Sequence, residues 1–128
     1  MQIINTKNAP AAVGPYSQAI KAGDFIFISG QIPFDPKTNQ VVVGGIEEQT
    51  RQCLDNLTAI INASDCTLKD VVKCNIFVKN IEDFATINEI YGSYFKHHKP
   101  ARALVEVARL PKDVLIEIEA VVFLKSEE

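Results

Sequence analysis

Apolar and polar residues alternate along this chain with two different periods, and the switches between them mark its elements. Asp24 to Ser29 (DFIFIS) reads as a strand, set up by a turn at Gly23 and stopped by Gly30. Pro33 to Gly45 reads as a loop, rich in turn residues such as Asp35, Pro36 and Asn39. From Glu47 to about Ala63 the period lengthens to that of a helix. Cys53, Leu54, Leu57, Ile60 and Ile61 then share one face, while Glu48, Arg51, Gln52 and Asp55 face water. Asp70 to Lys79 returns to strand character. Ile81 to Phe95 is a second helix, with Phe84, Ile87, Tyr91 and Phe95 on one stripe. Arg102 to Ala108 and Leu115 to Leu124 read as two strands joined by a turn through Pro111, Lys112 and Asp113, and shorter strands are expected near Ile3 and Gln18.

This order of elements suits an α+β sandwich: one antiparallel or mixed sheet with both helices on one face. The strands carry a further constraint. In Asp24 to Ser29, Phe25 and Phe27 point one way while Ile26 and Ile28 point the other, and Val71 to Val78 is apolar on both faces too. Two helices cover one face only. The other needs a second cover, either another copy of the same sheet or the N-terminal 20 residues folded across it, and a homo-oligomer is the expectation.

Length and composition narrow the class. The 128 residues suffice for a single domain, 1–128, with its own core, and 47% hydrophobic with 23% charged residues is ordinary for a globular protein. The net charge of −3 and the lack of a basic block argue against binding nucleic acid through its phosphates. No segment approaches the roughly 20 apolar residues of a membrane span, and the N-terminus does not read as a signal peptide, so the cytoplasm is expected. Cys53, Cys66 and Cys74 fit no zinc or redox spacing, and Cys53 and Cys74 read as small buried hydrophobes. His97 and His98, beside Lys96 and Lys99, read as the cationic end of the second helix, with no metal implied.

Several polar residues break the apolar pattern. Arg102 heads a strand-like apolar run directly after Pro100-Ala101. A guanidinium cannot shed its charge, so it must stay wet or meet an anion, and its planar fork suits a carboxylate. It reads either as a receptor for a small carboxylate substrate, or as a structural partner of a glutamate or a side chain reaching solvent. Tyr16 follows Gly14-Pro15, Ser29 and Gly30 end a strand beside Gln31, Asn88 sits on the second helix, and Glu117 and Glu119 project from one face of the last strand. Each also has an ordinary structural explanation: a turn, a core tyrosine with a wet hydroxyl, a solvated edge. A simple hairpin about Lys112 sets Arg102 opposite a residue near position 122, leaving roughly 15 Å to Glu117 at about 3.3 Å per residue. A site using both therefore calls for an oligomer contact or a shifted register.

Taken together, GPYSQA (14–19), SGQIP (29–33), FATIN (84–88), PAR (100–102) and VEVARLPKDVLIEIEA (105–120) closely resemble the RidA (YjgF/YER057c/UK114) family, in the right order and spacing from about residue 7 to residue 123. The resemblance implies a chorismate-mutase-like α+β fold, related to ferredoxin-like folds. It implies a homotrimer whose sheets form an inner barrel, with ligand sites in clefts between subunits. It also implies a cofactor-independent deaminase. The substrates are 2-iminobutanoate and 2-iminopropanoate, the imine tautomers of 2-aminocrotonate and 2-aminoacrylate, and the products are 2-oxo acids and ammonia. The family's carboxylate-binding arginine falls on Arg102, its tyrosine on Tyr16, its serine on Ser29, its helix asparagine on Asn88 and its water-positioning glutamate on Glu117, with the backbone near Gly30 and Gln31 fixing the imine end. No cofactor or metal is implied. One departure is Leu104, where active members often carry a cysteine, which makes that pocket wall bulkier and more apolar. Two other roles attributed to relatives are non-catalytic binding of a 2-oxo acid and RNA cleavage. The second suits this acidic chain poorly.

Overall fold

Period-2 alternation builds a six-stranded sheet, and a computed structural model describes it for residues 1–124. The elements are β1 (Gln2–Ile4), β2 (Ala19–Ala22), β3 (Phe25–Gln31), β4 (Phe34–Asp35), β5 (Gln40–Val41), α1 (Ile46–Ala63), β6 (Val71–Val78), α2 (Phe84–Tyr94), β7 (Ala101–Glu106) and β8 (Ile116–Phe123). The sheet runs β1-β2-β3-β8-β6-β7, and β4 and β5 form a separate small hairpin. All neighbours in the large sheet are antiparallel except β6 and β7, which α2 joins as a crossover. The expected mixed sheet with two helices on one face is therefore present.

The faces follow from the pairing. Ile26 and Ile28 of β3, Cys74, Ile76 and Val78 of β6, and Ile116, Ile118 and Val122 of β8 are buried together with Leu54, Leu57, Ile60 and Ile61 of α1 and Ile87 and Ile90 of α2 in one hydrophobic cluster. The first helix keeps the face expected of it. Gln52 departs: it is half-buried and its amide donates to Asn56 Oδ1 at 2.8 Å. Asn56 in turn donates to the carbonyls of Phe34 at 2.9 Å and Ile32 at 3.3 Å. Gln49 is also buried, and its carbonyl accepts from Leu115 N at 2.8 Å, tying α1 to the start of β8. These buried amides are satisfied as a low-dielectric interior demands.

Four expectations are corrected. The strands around Arg102 and Leu115 are not a hairpin, because β6 lies between them and takes β7 in parallel and β8 antiparallel. The second helix opens with a separate 3-10 turn at Ile81–Asp83, where Asn80 Oδ1 accepts from Glu82 N and Glu106 accepts from Ile81 N, so α-helical bonding begins only at Phe84. Phe84 is 43% exposed, and Ile90 takes the core position the stripe reading gave it. The segment 33–45 is not all loop, since it contains the β4–β5 hairpin.

The face away from the helices is open. Phe25 and Phe27 are 42% and 50% exposed there, Phe123 packs edge-on against Phe25 at 5.3 Å between ring centroids, and Val105 is 47% exposed. The N-terminal residues leave it so: β1 extends the sheet edge beside β2. All three cysteines are buried and free, as read for Cys53 and Cys74. Among the described residues, no helix is long and apolar enough to cross a membrane.

Ile118 is fully buried in the strand held between β3 and β6. Ile118→Ala is expected to lower the unfolding free energy by about 2–5 kcal/mol. Val43→Ala, at a 96% exposed position, is expected to change it by less than about 0.5 kcal/mol. Urea titration at one protein concentration checks both, and equal effects would contradict the core described here.

Candidate functional site

The sequence-read residues fall into two groups on opposite faces of the sheet. Arg102 pairs with buried Cys74 across β7 and β6, so its side chain lies on the helix side. There its Nη1 donates to Asn88 Oδ1 at 2.8 Å. The guanidinium lies over the Tyr91 ring at 4.9 Å and the Phe84 ring at 5.7 Å. Aromatic faces attract the cation without neutralising it. Among the described residues no carboxylate lies within ion-pair distance of Arg102. The structural-partner reading of Arg102 therefore has no glutamate to name among the described residues. Phe84 is exposed because it forms part of this cradle, and α2 supplies Phe84, Asn88 and Tyr91 at helical spacing. Beneath them the Tyr91 hydroxyl is buried without a conventional hydrogen-bond partner, beside the Cys74 thiol. Burial raises the pKa of both groups.

Glu117 belongs to the other face. It is paired with Phe77, between Ile116 and Ile118, which are both buried against the helices. The carboxylate leans over a bulge in β3 between Ile28 and Gln31. A Cβ placed on Gly30 would collide with Glu117 Oε2 and lie 2.9 Å from its carboxyl carbon, so a side chain at this position would push the Glu117 carboxylate out of its place. Burial pushes the Glu117 carboxyl above the ordinary glutamate range, and the neighbouring negative charge of Glu119 adds to the shift.

A cavity of about 630 Å³ opens beside this carboxylate, with Tyr16, Gly30, Gln31 and Glu117 in its lining. Tyr16 is 52% exposed rather than a core tyrosine, and its loop is turned by Gly14 at φ 129°. Ser29 does not line the cavity. Its hydroxyl donates to Ser17 O at 2.6 Å and its backbone N donates to Gln18 O at 2.9 Å, which anchors the Tyr16 loop to β3. Gln31 is buried and donates back to Ser29 O at 3.0 Å.

Two contributions escaped sequence reasoning. Gln18 is 2% exposed, accepts from Thr6 N at 2.7 Å and donates to Pro10 O at 2.8 Å, fixing the segment that forms one cavity wall. A glutamine at the end of the GPYSQA run was the available signal. Phe34, from the unrecognised hairpin, forms another wall. Leu104 is half-buried, on the same face as Arg102 and paired with Ile76. Among the described residues no group of His, Cys, Asp and Glu side chains is placed to hold a metal ion.

One chain thus presents a cation cradle on one face and a carboxylate cavity on the other. Residues 6–124 match the family described as Endoribonuclease L-PSP. A RutC family protein of Pyrococcus horikoshii is 57% identical over 122 residues, covering 95% of this chain and 97% of the relative. A 2-iminobutanoate/2-iminopropanoate deaminase of Escherichia coli is 52% identical over 121 residues, covering 92% and 94%. The crystal structure of Escherichia coli TdcF with bound serine superposes with a TM-score of 0.92 at 43% identity, covering 96% of this chain and 98% of that one. By sequence and by fold, the chain belongs to the RidA family, which the Endoribonuclease L-PSP description also covers.

Proposed function

We propose that this chain is a cofactor-independent hydrolase of small 2-imino acids, acting on 2-iminobutanoate and 2-iminopropanoate in the cytoplasm. The observation that carries the reading is Arg102: a charged fork oriented by Asn88 and two aromatic rings, with no carboxylate among the described residues to satisfy it. An anion of carboxylate shape fits that fork through two parallel hydrogen bonds. The relatives support it, one carrying the deaminase name and another solved with serine, itself a small amino acid.

The site is completed between copies of the chain. Arg102 and Asn88 of one copy face the Tyr16, Gly30, Gln31 and Glu117 cavity of the next. A homotrimer with the exposed sheet faces turned inward as a barrel meets that need and covers Phe25, Phe27 and Phe123. In this arrangement Arg102 holds the substrate carboxylate and the backbone near Gly30 and Gln31 fixes the imine end, while Ser29 acts from behind the cavity by anchoring the Tyr16 loop. Tyr16 packs over the substrate. Glu117 binds a water and takes its proton as the oxygen bonds to the C=N carbon. The resulting carbinolamine receives a proton on nitrogen, the C–N bond breaks, and ammonia and a 2-oxo acid leave. An enamine substrate first tautomerises to the imine. Such imines hydrolyse unaided, so positioning plus one acid–base step, worth roughly 10²–10⁴-fold, suffices.

Two measurements test this. Arg102→Ala and Glu117→Gln are each expected to abolish turnover while leaving the assembly intact by analytical ultracentrifugation. Co-expressed, the two variants are expected to recover activity in about one quarter of the sites, because random assembly brings an intact Arg102 from one copy to an intact Glu117 of another. No recovery in mixed assemblies would place both residues in one chain's site or outside it. The second measurement is the pH profile of kcat/KM for the free enzyme. A raised Glu117 pKa means the working carboxylate protonates, and rate is lost, at a pH above that of an ordinary glutamate. Glu119→Gln removes the neighbouring charge and is expected to move the acid limb downward. An acid limb in the ordinary glutamate range would show that the buried Glu117 is not the base.

A further inference from the structure

Arg102 rests on a ring that is itself wedged in place. Tyr91 is only 7% exposed, on the stripe of α2 that also carries Asn88 and Phe84. The centre of the Arg102 guanidinium lies over its ring, 4.9 Å from the centroid. One helical turn further on, the buried Phe95 packs against the same ring, 4.7 Å between centroids at an interplanar angle of 33°. Cys74, the residue opposite Arg102 in β6, is fully buried, and its thiol meets the Tyr91 hydroxyl. Helix and sheet therefore hold this ring still before any ligand arrives.

The polar end of this tyrosine does not explain its place. The hydroxyl has no conventional hydrogen-bond partner, and a buried phenol left that way costs stability. Burial also raises its pKa, so the group stays neutral and lends Arg102 no negative charge. What remains is the π face, which attracts a cation through its quadrupole. That attraction has a property no acidic partner would share. A carboxylate would hold the guanidinium by occupying its N–H groups, whereas a ring face holds it and occupies none of them. Asn88 takes a hydrogen bond from Nη1 at 2.8 Å. The other donors of the fork are left for an anion. A long arginine side chain loses much rotamer freedom when a ligand fixes it. A platform that has already fixed it removes that loss from the binding step. Phe84 is the looser of the two rings, half-exposed and 5.7 Å from the guanidinium.

We infer that Tyr91 is a positioning residue whose ring face, and not its hydroxyl, pre-organises the Arg102 fork to receive a carboxylate. This rests on the carboxylate-binding reading of Arg102 above and deepens it. Tyr91 touches no reacting atom and acts through Arg102 alone. Phe95 acts one step further back, by holding the Tyr91 ring.

The test changes the electrons of the ring while nearly keeping its shape. Tyr91→Phe removes the hydroxyl only, and phenylalanines bearing one, two and three ring fluorines at position 91 then drain the π face stepwise. Calorimetry on the intact protein reads the Kd for 2-oxobutanoate. Tyr91→Phe is expected to bind within about twofold of the parent, because the ring face survives. The trifluorinated ring is expected to raise Kd about three- to thirtyfold, the span between an exposed and a desolvated cation–π contact, with the other two in between. A Kd unmoved along the fluorinated series overturns the assignment, and so does a loss in Tyr91→Phe as large as that of the trifluorinated ring, which would give the role to the hydroxyl. A second readout needs no ligand. The Arg102 side-chain N–H protons, lying over an aromatic face, are expected upfield in the parent and in Tyr91→Phe and at ordinary positions in Tyr91→Leu. Equal shifts in the parent and Tyr91→Leu overturn the assignment. The expected shifts, together with the graded Kd for 2-oxobutanoate, support Tyr91 even if no imine is hydrolysed, in which case the hydrolytic reading is what falls.

Discussion

A strand has two faces, and a residue is committed to one of them by parity alone. In β8, Ile116, Ile118, Ala120 and Val122 are buried, which forces Glu117 and Glu119 to the far side. In β7, Arg102 and Leu104 pair with buried Cys74 and Ile76, which forces the guanidinium to the helix side. No rotamer undoes that separation, since a one-residue slip would bury the wrong set of side chains along a whole strand. The core therefore dictates where the charges lie. A site that needs both the cation and the carboxylate needs more than one copy of this sheet.

Electrostatics follow from the same constraint. The two chemically opposed groups are kept apart within the chain, so neither quenches the other. Arg102 is oriented by a neutral amide and by ring faces, which hold it without satisfying its charge. Glu117 rests on the bare backbone of Gly30, where partial burial and Glu119 make its anion less comfortable than in water. A glycine, an asparagine and a pair of aromatic rings thus set the chemistry of residues they are distant from in sequence.

Much of this was legible beforehand, and the reasons differ by element. The buried face of α1 was readable because a 3.6-residue period over 18 residues has few alternatives. The position of Glu117 was readable from Ile116 and Ile118 on either side. Arg102 stood out because an unpaired cation in an apolar run has few ways to be tolerated. Strand pairing was not readable: Arg102–Ala108 followed by Leu115–Leu124 looks like a hairpin, yet β6 lies between them, parallel to β7 and antiparallel to β8. Phe84 looked like core because a stripe records polarity and not what lies opposite. The turn at Lys112 carried no left-handed signature, since neither lysine nor aspartate there is glycine. The cavity itself was invisible for the same reason, being assembled from Tyr16, Phe34 and Lys112, segments far apart along the chain.

The place of β8 in the sheet also governs how the polypeptide comes into being. The last strand described is not at an edge but between β3 and β6, so nothing made before it can close the sheet. While the ribosome is still adding residues 116–123, β3 and β6 present bare edges and the phenylalanines of β3 have no neighbour in β8. Long-range pairing of this kind is slow and leaves sticky surface open meanwhile. Closing the sheet must therefore wait until residues 116–123 can pair with both β3 and β6. The same strand that completes the core delivers Glu117, so until it docks the chain has neither a closed sheet nor a carboxylate at the cavity.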